Sequence, residues 1–208
     1  MANIFDYLIW RGDLPLSVSP FNEVDGAVFA RLSYLPFELI MPCDSLVSVT
    51  IADAAAALIS LNIKKPGSLR KENDAKLLEM LLNSRRFRDI ELFGYSHLFD
   101  AATQTQFSAV TFRPSKNKLY VFFRGTDSTL VGWKEDFNMC FVCPVPAQSN
   151  AVDYLNRIAA SNGGDITVGG HSKGGNLAVY ASAFANRLPA AESLIFIIMT
   201  ARASRKMF

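Results

Sequence analysis

The chain has 208 residues, half of them apolar and 19% charged, with a formal net charge of +2, the length and balance of a globular protein with one sizeable core. So small a charge argues against nucleic acid or an anionic membrane as partner. No apolar run reaches the roughly 18 residues of a membrane span, no cationic-then-apolar leader opens the chain, and Cys43, Cys140 and Cys143 read as reduced thiols of a cytoplasmic protein.

The chain reads as a single domain, 1–208, with a helical part over 1–88 and a sheet over 89–208. Asn22 caps a helix whose apolar positions Val24, Ala27, Val28, Leu32 and Leu35 follow helical spacing, and Pro36 ends it. Thr50 to Leu61 is an alanine-rich amphipathic helix, and Glu72 to Arg85 carries a Leu77, Leu78, Leu81, Leu82 stripe. Each stripe needs a surface to cover, and a sheet later in the chain is the natural one. Arg85, Arg86 and Arg88 read as a solvated helix end. Arg11-Gly12-Asp13 matches an adhesion tripeptide by coincidence.

From Ile90 the period changes to two. Ile90–Phe99, Phe107–Arg113 and Leu119–Arg124 are strands, the last two joined by the polar turn 114–118 as a hairpin. Helices over 131–139 and 149–160 follow, then a short strand 166–170, a helix 177–187 and a last strand 194–199. Strands alternating with helices predict a mostly parallel sheet with helices on both faces. Cys140 and Cys143 form a lone CxxC, which without a second ligand pair reads as packing rather than as a metal or redox site.

Between the strand at 166–170 and the helix after it stands Gly170-His171-Ser172-Lys173-Gly174, a G-x-S-x-G. A serine on so tight a strand-to-helix turn has a strained backbone, and glycines two before and two after let strand and helix approach. The turn lifts the hydroxyl above the sheet, where the helix N-terminus faces a developing oxyanion. A second N–H is needed. The loop Arg124-Gly125-Thr126-Asp127, closing an apolar strand, can supply it from Thr126 opposite that of Lys173.

Phe123-Arg124-Gly125-Thr126, then Trp133 and Asp136, then Gly170 to Gly175 resemble the core signature of class 3 lipases in order and approximate separation. The opening, from Asn3-Ile4-Phe5-Asp6-Tyr7 to Asn22-Glu23-Val24-Asp25, resembles an uncharacterised bacterial family of lipase-like α/β-hydrolases. The resemblance implies an α/β-hydrolase-like fold and a serine hydrolase of lipase or esterase type. Ser172 would be the nucleophile on an acyl ester, small or lipid, with Thr126 and Lys173 as oxyanion hole. Gly125, Gly170 and Gly174 would support the turns, and Asp136 with Trp133 would brace the oxyanion loop. No metal or organic cofactor is implied, because acyl transfer by serine needs none.

The triad is incomplete in this sequence. The order in such folds is Ser, then Asp or Glu, then His, yet no histidine follows Ser172 and the one acid after it is Glu192. His171 points away from the serine hydroxyl, and His97 reads as a packed strand histidine; Lys173 faces away along its helix. The resemblance implies further strands beyond Phe208, so the chain reads as cut short at its C-terminus, with 194–199 an exposed edge suited to self-association. The alternative to a hydrolase is therefore a catalytically incomplete or non-catalytic fragment.

Overall fold

The computed structural model describes residues 2–61, 71–186 and 196–199. Among them six strands form one sheet in chain order: β1 (Val49–Thr50), β2 (Glu91–Asp100), β3 (Thr105–Ser115), β4 (Lys118–Phe123), β5 (Asp165–His171) and β6 (Phe196–Met199). The mostly parallel, α/β-hydrolase-like sheet expected from the sequence is overturned. The pairings β1–β2, β2–β3 and β3–β4 are antiparallel, and only β4–β5 and β5–β6 are parallel. The connections explain why. Residues 101–104 and 116–117 are all that link β2 to β3 and β3 to β4. A parallel pair needs a crossover of a dozen residues or more. Links of that length carry α5 (Leu130–Asn138) and α6 (Pro146–Ser161) between β4 and β5, and α7 (Lys173–Phe184) before β6; the link from β1 to β2 is also long and helical, and there the two-residue β1 pairs antiparallel all the same. Residues 194 and 195, expected to open the last strand, lie outside the described residues.

Alternation along the strands sorts the core onto two faces. Leu92, Val110, Phe112, Tyr120 and Phe122 join one cluster with α1 (Ile4–Arg11), α2 (Glu23–Leu32), α3 (Ile51–Ser60) and α4 (Lys71–Asn83). Phe107, Ala109, Leu119, Val121 and Phe123 join the other with α6 and α7. The early helices thus cover the sheet, as their stripes demanded. In α2 the stripe is rotated from the expected one. Val24 is exposed, and Phe29 is the fully buried anchor, its ring stacked 4.2 Å from that of Phe112.

Asn22 caps α2 and Asn3 caps α1, each in a box closed by an aspartate three residues on. That second aspartate, Asp25, has a further use. Arg86, read from sequence as solvated, is fully buried: its Nε donates to Asp25 Oδ1 at 2.7 Å, and its remaining nitrogens donate to the carbonyls of Leu14, Ser19 and Pro20. Tyr7 donates to the same Asp25 oxygen at 2.8 Å. One guanidinium ties α2 to the 12–21 loop, which is why it is buried among charged neighbours that sequence alone leaves on the surface.

Candidate active site

β5 ends at His171 and α7 begins at Lys173, leaving Ser172 alone in the turn. Its φ of +56° and ψ of −123° lie where L-residues are strained. What forces that backbone is contact. A Cβ on Gly170 would fall 2.3 Å from the Gly174 carbonyl carbon, and one on Gly174 would fall 2.1 Å from the Phe123 carbonyl oxygen. Only hydrogens fit between the end of β4, the end of β5 and the first turn of α7. The serine side chain is exposed, and among the described residues its hydroxyl has no hydrogen-bond partner.

The loop after β4 lies against this elbow. A Cβ on Gly125 would meet the His171 carbonyl oxygen at 2.4 Å and the Tyr34 hydroxyl at 2.3 Å. Arg124 N–H donates to the Ser108 carbonyl at 2.9 Å, so the loop leaves the sheet from a fixed point. Asp127 Oδ1 accepts from Thr129 N–H at 2.9 Å, and Thr129 in turn caps α5 through Gly132 N–H. Trp133 Nε1–H donates to the Asp127 carbonyl at 3.2 Å, so the tryptophan does brace the loop. Neither Thr126 N–H nor Lys173 N–H donates to another described group. The Thr126 hydroxyl is buried and also has no partner among the described residues.

The carboxylate that ties the site together is Glu135, fully buried, while Asp136 beside it is exposed. Glu135 Oε1 accepts from Ala147 N–H at 2.9 Å, and Oε2 accepts from Gln106 N–H at 3.0 Å and from Lys173 Nζ at 2.8 Å. Lys173 spends its other two protons on the Gln106 carbonyl and Oε1, at 2.6 and 2.8 Å. Burial pushes the Lys173 ammonium below its ordinary value, and Glu135 pulls it partly back. Neither Gln106 nor Glu135 stood out in the sequence. A lysine beside the elbow serine calls for a buried carboxylate, but Glu135, Asp136 and Asp127 offer that pattern equally.

The two histidines lie elsewhere. His171 Nδ1 is 3.1 Å from the Tyr34 hydroxyl, on the α2 side of the sheet. Burial raises Tyr34 to about 12, against the opposing pull of Arg124. His97 pairs with Ser108 across β2–β3, three strands from β5, which at the usual strand spacing is ~14 Å from the elbow. Its nearest acid is Glu38, at 3.9 Å. Cys43, Cys140 and Cys143 are all exposed, so the CxxC does not pack as expected. No group of three metal-ligating side chains is found among the described residues, nor a helix long and apolar enough to cross a membrane.

A serine on a strand-to-helix elbow, beside a loop of unused N–H donors, is the arrangement on which lipase-like proteins are built. Residues 81–195, just over half of the chain, match the family model of Mbeg1-like proteins. The chain belongs to that family, which is lipase-like. Comparison with curated proteins finds no match, and neither does comparison with solved structures.

Proposed function

We propose that this chain is a serine hydrolase of lipase or esterase type, with Ser172 as nucleophile on an acyl ester. The observation that carries the reading is the backbone of Ser172, held at φ +56° between Gly170 and Gly174 with its hydroxyl exposed. An idle turn has no reason to keep such strain. Ser172 Oγ attacks the ester carbonyl. The oxyanion is received by the N–H groups of Lys173 and Thr126. The C–O bond to the alcohol breaks, the alcohol leaves with the proton, and water then releases the acid from the acyl-serine. Asp136 has no part in this scheme; Glu135 takes the bracing role.

A second reading is supported by the histidines. With His171 on Tyr34 and His97 three strands away, the described residues bring no general base to Ser172. A triad stripped of its base retains only about 10³- to 10⁴-fold over water, which is a catalytically incomplete protein. Labelling of the purified chain with a fluorophosphonate, beside Ser172→Ala, decides between them. Labelling abolished in the variant supports the hydrolase. Absence of labelling from the folded chain overturns it in favour of the incomplete protein.

A further inference from the structure

We propose that Glu135 is a positioning residue for the oxyanion hole, acting through the side chain of Lys173; the inference rests on the hydrolase reading above. Lys173 is the residue whose main-chain N–H faces the reacting oxygen in that reading, so whatever fixes its side chain fixes the donor. The fixing is complete. All three ammonium protons are taken, one by Glu135 and two by Gln106, and the side chains of Lys173 and Glu135 are 0% and 1% exposed.

Glu135 also reaches the other half of the hole. It sits in α5, whose first turn is capped by Thr129 and bound to the carbonyl of Asp127 through Trp133. The loop that carries Thr126 is thereby anchored to the same helix. The carboxylate accepts main-chain protons from Gln106 at the start of β3 and from Ala147 at the start of α6. A single side chain therefore sets the distance between the elbow and the loop opposite. A purely structural buried pair can be replaced by neutral groups of the same shape at little cost. A positioning pair cannot, because a displacement of about 1 Å costs on the order of 100-fold in rate.

The test uses saturation kinetics of fluorophosphonate labelling on the full chain: wild type, Glu135→Gln, and the double variant Glu135→Gln/Lys173→Met, with the folded fraction measured by circular dichroism. The neutral double variant removes the penalty of an unpaired buried ammonium, so it reports on position even where Glu135→Gln fails to fold. Expected is a fall of about 10- to 100-fold in the maximal labelling rate of both variants, with half-saturating probe concentration unchanged. A folded double variant that labels at the wild-type rate overturns the proposal, as does a loss confined to probe affinity. A double variant that does not fold also overturns it, making the pair a folding determinant. A wild-type chain that does not label removes the hydrolase reading and this one with it. Failure of the positioning role alone appears instead as normal labelling in the variants.

Discussion

Replacing Ser172 by glycine should stabilise the chain relative to Ser172→Ala. Both substitutions remove the hydroxyl, so the difference isolates the backbone. At an ordinary position Ala→Gly destabilises by about 0.4–1 kcal/mol, because glycine adds freedom to the unfolded chain. Here φ is +56° and ψ −123°, and a non-glycine residue held in such a region costs about 1–3 kcal/mol. Glycine escapes that cost, so at the middle of both ranges the sign reverses and the glycine variant should be more stable by about 1.3 kcal/mol. For a chain of this size each kcal/mol moves the midpoint by about 2–4 °C, so thermal unfolding followed by circular dichroism should place Ser172→Gly about 3–5 °C above Ser172→Ala. Equal midpoints, or a lower one for glycine, would mean that the elbow stores no strain and that the geometric case for a nucleophile fails.

Three further outcomes follow from packing and charge. Gly174→Ala would place a Cβ 2.1 Å from the Phe123 carbonyl and should destabilise by about 3 kcal/mol or more, whereas Gly163→Ala, with open space around its Cβ, should raise the denaturant midpoint by the equivalent of about 0.4–1 kcal/mol. Arg86→Ala strands the buried Asp25 carboxylate and should cost about 3–5 kcal/mol in chemical denaturation. His97 is held below its ordinary value of 6.5, first by burial and then by Arg124. The unfolded chain therefore takes up that proton more readily, and the His97 contribution to stability is present above pH 6.5 and lost as pH falls through the lower folded value. Stability measured from pH 7.5 to 5 should fall less steeply in His97→Gln than in wild type; an identical slope would count against the burial argument.

Local signals were legible because they are local. The cap at Asn22, the hairpin from β3 to β4 and the elbow at Ser172 each depend on a few consecutive residues, and each is found. The direction of the sheet was not, because pairing depends on which gaps hold a crossover, and the 101–104 link between β2 and β3 is too short for one. Arg86 was misread for a related reason. It stands in an arginine cluster at a helix end, and only the fold brings Asp25 and three carbonyls 61 to 72 residues away onto it. The same holds for Glu135. The resemblance to lipases placed the bracing carboxylate at Asp136; one residue along a helix is a turn of about 100°, and that turn separates the buried face of α5 from the exposed one.

The elbow and the base are separate questions, and the structure lets them be asked apart. The close packing around Ser172 is made by Phe123, Gly170 and Gly174, at the parallel pairing of β4 with β5 and the first turn of α7. None of it depends on a histidine. Strain should then appear in the Ser172→Gly and Ser172→Ala midpoints whether or not the chain reacts with a fluorophosphonate. Strain together with labelling would mean a working nucleophile whose base is still to be located. Strain without labelling would mean that the elbow retains its geometry while lacking proton transfer, since no relaxation of the turn could then explain the silence. Labelling without strain would detach reactivity from the strained turn, and labelling that also survives Ser172→Ala would move the search to another serine.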